Sequence, residues 1–254
     1  MEVTASDWVL GQRLLSATAA TIVGNRYPAN FDVLHLDEGR PLAVVADGMG
    51  DGPGSTAAGR TAVEVFVRET AGGTLSAAGA TPTAWTGPAV LRSAVAEVQR
   101  AVRAAGRDIA GLTGCTLTAF AGDVDGSAWL VQLGDSRAYR LRDGVFELLT
   151  SDHTAAWLGI LNGWYAPDSR EAYRDRHHLT RYAGHPGMPE PDLLNVSLRP
   201  GDRFLLCTDG VSDQLHDRRL ADALTERTTV VELLAETLDG GGDDNATAVI
   251  IQVS

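Results

Sequence analysis

Apolar and polar residues occur in blocks along the first hundred residues, and these blocks predict a hairpin followed by two helices. The apolar stretches Val33–Leu36 and Leu42–Ala46 flank the polar tetrapeptide Asp-Glu-Gly-Arg, which is typical of a turn between paired strands. Residues 55–70 and 88–107 carry apolar side chains at helical spacing, so each is predicted to form a helix. Residues 71–87, rich in Gly, Thr, Ala and Pro, are predicted to form a loop between them.

Short strands dominate the middle of the chain. They are predicted over residues 115–121, 128–133, 138–141 and 145–148. The pairs Asp125-Gly126 and Asp143-Gly144 stand between neighbouring strands, and Asp-Gly favours tight hairpin turns because both residues tolerate a positive φ.

The last hundred residues divide into an irregular segment and a second run of strands and helices. Residues 152–200 contain Trp, Tyr, Pro and His without a regular period, which is more typical of an inserted flap than of a core element. Strands over residues 204–208 and Ala246–Val253 enclose helices predicted near 212–225 and 229–238. Antiparallel strand runs interrupted by helix pairs predict an α+β fold, with sheets packed together and helices outside.

Chain length and charge narrow the possible functions. The 254 residues suffice for one large domain or at most two small ones. A net charge of −12 disfavours binding to nucleic acid or to an anionic membrane. No apolar run reaches the length of a membrane span, and the N-terminus lacks the pattern of a signal peptide, so a cytoplasmic protein is expected. Cys115 and Cys207 lie in apolar runs and are expected to be buried, reduced thiols.

Aspartates recur at the ends of predicted strands. Asp47, Asp135 and Asp209 each end a buried-strand pattern and have Gly beside them. Asp244 directly precedes the last strand, and Asp32 directly precedes the first strand of the predicted hairpin. Because one strand of an antiparallel sheet begins where its neighbour ends, all five aspartates are predicted to meet at one edge of the sheets.

Five clustered carboxylates require a cation to neutralise them. Without one, mutual repulsion would raise the pKa of each group. Hard oxygen ligands select Mg²⁺ or Mn²⁺ rather than Zn²⁺, and the glycine at position 48 allows its carbonyl to approach the ion as a further ligand. The alternative for any single site is that Asp-Gly merely makes a turn, but the repetition of one strand-then-Asp form favours a metal centre.

At these residues the sequence resembles the PP2C-type (PPM family) metal-dependent protein serine/threonine phosphatases, in their bacterial form. Six motifs of that family occur in the expected order and cover nearly the whole chain. They are Val45-Ala-Asp47-Gly48-Met49-Gly50, Gly114-Cys-Thr116, Gly134-Asp135-Ser136-Arg137, Leu149-Thr-Ser-Asp152-His153, Leu206-Cys-Thr-Asp209-Gly210 and Asp244-Asn245-Ala-Thr247.

The resemblance implies a centre with two Mn²⁺ or Mg²⁺ ions. Asp47 would bridge the two cations. Asp209 and Asp244 would complete the first site, and Asp32 with the carbonyl of Gly48 would complete the second. A water that bridges the metals would attack the phosphate of phosphoserine or phosphothreonine in a protein.

Further expectations follow from the same resemblance. Asp135 would hold a weaker third cation together with Asp209. The fold would be a four-layer α-β-β-α sandwich, in which two antiparallel sheets pack face to face with helices outside. Residues 1–254 would form a single domain with the flap within about 152–200. The partner would be a phosphorylated protein that a Ser/Thr kinase modifies, and the phosphatase would be a monomer.

The chain departs from the family pattern near its first aspartate. Many members place an Arg five positions before that Asp to bind the phosphate, whereas Arg26 lies six positions before Asp32. The guanidinium fork suits a phosphate, so Arg26 is predicted to bind substrate. Phe31 stands where an acidic or polar residue is usual, and Met49 stands where animal members carry a His that can act as general acid.

The histidines outside the motifs have no zinc-like spacing. His177, His178 and His185 fall in the predicted flap and are interpreted as surface residues. His153 is interpreted as a structural hydrogen-bond partner, and Arg137 as an ion-pair partner of a site carboxylate.

Three other functions are consistent with parts of the sequence. Ser136 with Asp213 and His216 resembles the nucleophile set of GDSL-type esterases, although this leaves the other aspartates unexplained. A pseudophosphatase would keep the fold as a regulatory binding module. A phosphatase of a small phosphorylated metabolite would use the same metal centre, and the sequence does not distinguish it from a protein phosphatase.

Overall fold

The computed structural model describes residues 1–71, 87–123 and 125–254. All strand pairs are antiparallel and form two sheets. The first sheet has the order β1-β2-β11-β10-β7-β8, and the second has the order β3-β4-β5-β6-β9. The strands are β1 (Glu2–Leu10), β2 (Arg13–Ile22), β3 (Val33–Leu36), β4 (Leu42–Ala46), β5 (Leu117–Gly122), β6 (Ala128–Leu133), β7 (Arg137–Arg142), β8 (Val145–Leu148), β9 (Asp192–Val196), β10 (Arg203–Cys207) and β11 (Ala246–Val253).

The helices flank the sheets. They are α1 (Pro53–Thr70), α2 (Pro88–Ala105), α3 (Ala155–Leu161), α4 (Arg170–Asp175), α5 (Asp209–Ser212), α6 (Asp217–Glu226) and α7 (Val230–Asp239). Prolines begin α1 and α2, where the missing N–H has no intrahelical partner to lose. Thr229 and Glu232 form a capping box at the start of α7.

Three apolar layers join these elements. Between the sheets, the rings of Phe120 and Phe204 are 5.7 Å apart at their centroids. Outside the second sheet, Phe66 of α1 packs with residues of α2, and outside the first sheet Leu234 of α7 packs with α6 and β11. Each helix pair therefore buries its apolar side against the outer face of one sheet. The predicted α+β, four-layer α-β-β-α sandwich is confirmed.

Several predicted elements are found with shifted limits. The Asp143-Gly144 hairpin is confirmed, with φ of 51° and 77° at the two residues. The helix predicted near 212–225 is divided into α5 and α6. The loop predicted over 71–87 lies, except for its end residues, outside the described residues.

The patterns did not predict three strands. The first two, β1 and β2, form the edge of the first sheet. The third, β9, lies within the segment interpreted as an irregular flap and pairs with β6. Over the residues that the structure describes, no helix is both long enough and apolar enough to cross a bilayer.

Candidate active site

Strand ends from both sheets meet around one pocket of about 390 Å³. Asp47 follows β4 and Asp135 follows β6, whereas Asp209 follows β10 and Asp244 precedes β11 by one residue. All four aspartates line this pocket. The antiparallel pairings place the ends of these strands on one side of the sandwich, as the sequence pattern indicates.

Asp32 lies behind the wall of the pocket. Its Oδ2 accepts hydrogen bonds from Thr208 Oγ1 (2.9 Å) and Thr247 Oγ1 (2.7 Å). Its Oδ1 is buried and has no hydrogen-bond partner within the described chain. Burial, together with the nearby charge of Asp209, raises the pKa of Asp32 to about 7 against the lowering effect of the two threonines. Oδ2 of Asp32 is thus occupied by hydrogen bonds within the protein, whereas Oδ1 can still accept a ligand.

Phe31, rather than Asp32, contributes to the pocket wall. Asn245 fixes this part of the chain, because its Oδ1 accepts from the Phe31 N–H (2.8 Å) and its Nδ2 donates to the Ala29 carbonyl (3.1 Å). The aromatic residue that departs from the family pattern therefore replaces a polar surface at the pocket with an apolar one.

The remaining carboxylates repel one another. Burial raises the pKa of Asp47 and of Asp135 well above the ordinary value, and the charge of Asp209 raises both further. Burial also raises the pKa of Asp209 to about 7, with added repulsion from Asp213 and Asp244. The Oδ1 of Asp209 is also buried, with no hydrogen-bond partner among the residues that the structure describes. Buried acceptors without donors fit a hard cation such as Mg²⁺ or Mn²⁺, which all-oxygen sites prefer.

Glycine is required where the loops approach each other. A Cβ on Gly48 would lie 2.7 Å from the Ser55 carbonyl oxygen and 2.8 Å from that of Phe31. A Cβ on Gly210 would lie 2.0 Å from the carbonyl oxygen of Asn245. These close approaches explain why the Asp-Gly form recurs here, since a side chain would push the strand ends apart.

Arg26 lies at the rim of the pocket. Its main-chain N–H donates to the Asp243 carbonyl (2.9 Å), and its guanidinium carbon is 5.1 Å from the centre of the Tyr27 ring. It forms no ion pair with a described carboxylate, although its charge lowers the pKa of Asp244 against the larger effect of burial. The guanidinium predicted to bind phosphate is therefore at the mouth of the acidic pocket, and its hydrogen-bond donors are free.

Two residues of the motifs have structural roles. His153 Nδ1 accepts from the Gly134 N–H (3.1 Å), and its Nε2 contacts Asp192 Oδ2 (3.0 Å). Arg137 forms two hydrogen bonds to Asp152, of 2.9 and 2.7 Å. The interpretation of His153 as a structural hydrogen-bond partner agrees with these contacts. Arg137 does form an ion pair, but with Asp152 and not with one of the aspartates that line the pocket.

The esterase alternative is incompatible with the position of its serine. Ser136 is fully buried, and its hydroxyl lies 2.7 Å from that of Thr116. His216 accepts from the Arg219 N–H and caps the start of α6. A serine without solvent exposure cannot act as a nucleophile on a bound ester.

His177 is exposed, as its interpretation as a surface residue requires, and it also lines the pocket. One nitrogen of His177 and one oxygen each of Asp209 and Asp213 lie within 4.8 Å of one another, a spacing that suits a metal ion. Arg176 places its guanidinium 3.4 Å from Asp213. The four-residue spacing of Asp209 and Asp213 could have indicated a shared helix face. Nothing local in the sequence indicates that the chain after α4 returns to them.

Comparison with known proteins decides the family. A family model described as Protein phosphatase 2C matches residues 30–239. The chain belongs to the protein phosphatase 2C family. This confirms the resemblance to the PP2C family that the six motifs indicate.

The relatives of this PP2C chain are bacterial phosphatases. It is 39% identical over 153 residues to the serine/threonine protein phosphatase PstP of Mycobacterium tuberculosis, a match that covers 58% of the chain and 28% of that relative's length. It is 25% identical over 228 residues to the serine/threonine phosphatase stp of Listeria monocytogenes, covering 88% of each protein. The first relative is therefore much longer than the region it shares.

Solved structures agree with the fold. The PPM Ser-Thr phosphatase MsPP from Mycobacterium smegmatis, in complex with cacodylate, superimposes with a TM-score of 0.76 at 31% identity, covering 94% of this chain and 98% of the other. The catalytic domain of PstP in complex with two manganese ions gives a TM-score of 0.71 at 28% identity, covering 95% and 99%. Metal dependence is therefore a property of the family to which this chain belongs.

Proposed function

We propose that this protein hydrolyses phosphoserine and phosphothreonine in proteins, with two Mn²⁺ or Mg²⁺ ions and a weaker third. One observation carries the proposal: aspartates from both sheets converge on one pocket, and buried oxygens of Asp32 and Asp209 have no partner in the described chain. Such an arrangement is unfavourable unless cations bind there.

The residues divide into two sets around the pair of cations. Asp47 would bridge the ions. Asp209 and Asp244 would hold the first, and the Gly48 carbonyl with Oδ1 of Asp32 would hold the second. When bound, the cations would lower the pKa of a water molecule and neutralise charge on the phosphoryl group.

Substrate binding is assigned to Arg26 at the pocket rim. Its unpaired guanidinium can donate two parallel hydrogen bonds to phosphoryl oxygens. In a pocket surrounded by carboxylates, this positive charge also favours an anionic substrate. Met49, which lines the pocket beside Gly48, has no proton to donate, so the leaving group must obtain its proton from another source.

The proposed biological setting follows from the named relatives and from the cysteines. The named relatives are serine/threonine protein phosphatases, which supports a phosphoprotein substrate that a Ser/Thr kinase produces. A monomer and a cytoplasmic location are proposed as well. Both cysteines are free and buried, which is consistent with a reducing compartment.

Metal-dependent turnover tests the proposal. We expect hydrolysis of para-nitrophenyl phosphate and of phosphoserine and phosphothreonine peptides with Mn²⁺ or Mg²⁺, and none with a chelator. Asp209→Asn should lower kcat by about a hundredfold or more, because the developing charge loses a cation. Asp239→Asn, at the exposed end of α7, should leave kcat unchanged.

The same assay distinguishes the alternatives. Absence of turnover by the intact protein at every metal concentration would identify a pseudophosphatase. Hydrolysis of phosphorylated metabolites with no activity on any phosphopeptide would identify a metabolite phosphatase.

A further inference from the structure

A second cavity, of about 290 Å³, lies in the flap between α3 and α4. We call this cavity the flap groove. Its apolar wall consists of Trp157 and Ile160 from α3, Pro167 between the helices, and Ala172 and Tyr173 from α4. Trp157 remains 38% exposed and Tyr173 67% exposed. Large aromatic surfaces left open in a concave site are typical of positions that bind a partner.

Most charged groups along the flap groove are already neutralised. At its inner end Arg137 is paired with Asp152, and Arg176 contacts Asp213 and lies 4.4 Å from the centre of the Tyr173 ring. Asp168 alone among the charged groups of the groove forms no ion pair with a described residue. The surface left for a ligand is therefore apolar, with one negative charge at its side.

The flap groove and the acidic pocket are neighbours, because a small cavity shares lining residues with both. Asp135, Asp209 and His177 line this cavity and the pocket. Towards the groove the same cavity is lined by Arg137, Asp152 and Arg176. An extended peptide advances about 3.3 Å per residue. A peptide whose phosphorylated residue enters the pocket can therefore place a neighbouring side chain in the groove.

We propose that the flap groove binds an apolar side chain of the phosphoprotein substrate, close in sequence to the phosphorylated serine or threonine. This rests on the proposed phosphatase function and adds a sequence preference to it. A leucine or an aromatic side chain would lose its hydration against Trp157 and Tyr173. A basic residue beside it would be favoured by Asp168 and by the net charge of −12.

Phosphopeptides provide the probe. The parent peptide carries phosphothreonine among alanines, and one set of variants moves a single leucine or phenylalanine through the four positions on either side. A second set adds an arginine next to the apolar residue. We expect at least one apolar position to raise kcat/KM by about tenfold over the alanine parent, chiefly through a lower KM, and the arginine to add to it.

Substitutions in the flap groove test whether the groove causes the preference for an apolar residue. Trp157→Ala should abolish the preference for the apolar residue and leave the turnover of para-nitrophenyl phosphate unchanged. Trp164→Ala is the matched control, since Trp164 is 71% exposed in the same flap but does not line the groove. Tyr173→Ala, whose side chain is mostly exposed, should weaken the preference without a risk to folding.

The outcomes separate this proposal from the phosphatase function. Equal kcat/KM for all peptides, or a preference that survives both Trp157→Ala and Tyr173→Ala, would overturn the groove assignment while para-nitrophenyl phosphate turnover continued. Loss of the preference in Trp164→Ala as well would indicate a general disturbance of the flap and would also overturn it. Absence of all turnover in the unaltered protein would instead refute the phosphatase proposal.

Discussion

The hydroxyl of Thr247 lies 2.7 Å from Oδ2 of Asp32 and donates a hydrogen bond to it. Thr247 lies in β11 of the first sheet, whereas Asp32 directly precedes β3 of the second sheet. The contact favours the charged form of a carboxylate whose pKa is raised by burial.

Replacement of this donor should weaken cation binding. In Thr247→Val, Asp32 loses a hydrogen bond to its charged form and becomes harder to ionise, so we expect the Mn²⁺ affinity to fall by about tenfold. Isothermal titration calorimetry at pH 7 measures this. Thr21→Val is the control, because Thr21 is hydrogen-bonded to Thr247 and Asn30 and, among the described residues, forms no hydrogen bond to Asp32. Equal affinity in both variants would refute the role of Thr247.

The stability of the chelator-treated protein should decrease with pH. Asp32 and Asp209 have a folded pKa of about 7, above the ordinary value of 3.8, so between these values the native state binds more protons than the unfolded state. Their stabilising contribution is complete below pH 4 and is lost as the pH rises through 7. His153 has a lowered pKa, through burial, and acts in the opposite direction.

The contribution of Asp209 is isolated by comparing the unfolding free energy of the wild type with that of Asp209→Asn. The unfolding free energy of the wild type, measured with urea in the presence of a chelator, should fall relative to that of Asp209→Asn between pH 5 and pH 8. Added Mn²⁺ should raise the unfolding free energy more at pH 8 than at pH 5, because the cation competes with protons. A difference that rises with pH would contradict the raised pKa of Asp209.

His177 should contribute to the outer, weaker cation. We expect His177→Ala to weaken the binding of a third Mn²⁺ by about tenfold and to leave the two tighter sites intact, since an imidazole ligand is lost only at the outer position. Electron paramagnetic resonance counts free Mn²⁺ during a titration. His178→Ala is the adjacent control, because His178 faces Asp175 instead. If the third Mn²⁺ bound with equal affinity to His177→Ala and His178→Ala, His177 would be excluded as a ligand.

Arg26 should act on substrate binding. Arg26→Ala is expected to raise KM for para-nitrophenyl phosphate by about tenfold or more, because a charge-assisted hydrogen bond to the phosphate is lost. Steady-state kinetics with saturating Mn²⁺ measures the change. Arg199→Ala removes an exposed guanidinium that does not line the pocket and should have no effect. An unchanged KM in Arg26→Ala would assign phosphate binding elsewhere.

Gly24 tests the fit between the Arg26 loop and the strand-end loop at Asp244. A Cβ at position 24 would lie 2.0 Å from the Asp244 carbonyl oxygen. Gly24→Ala should therefore lower the unfolding free energy by about 2 kcal/mol or more, whereas Gly39→Ala, where the nearest atom is 3.9 Å away, should change it little. Thermal unfolding compares the two variants. Equal melting temperatures would contradict the close packing of Gly24 against the Asp244 carbonyl.

The sequence predicted the parts of the fold and site that depend on local pattern. Asp47, Asp135 and Asp209 follow strands that are apolar apart from Gln132 and Arg203, and such strands are easily located. Antiparallel pairing then dictates that their ends meet. The centre of the candidate site was therefore predictable without any knowledge of the surrounding loops.

The remaining features depend on contacts between distant parts of the chain. The strand β2 mixes Ala and Thr with few large apolar residues, so its alternation is weak, and it is buried because β11 pairs with it. His177 reaches Asp213 only through the path of the flap. The position of Asp32 behind Phe31 depends on Asn245, which is more than two hundred residues away.

The carboxylates of the pocket come from both sheets, which has a mechanical consequence. Asp47 and Asp135 are attached to the second sheet, and Asp209 and Asp244 to the first. Cations held among them would act as cross-links between two layers that otherwise adhere through apolar side chains such as Phe120 and Phe204. The free energy of ion binding would then add to the work of separating the layers at this end of the sandwich. After removal of the ions, the two sheets should be held together mainly by the apolar contacts at the opposite end of their interface.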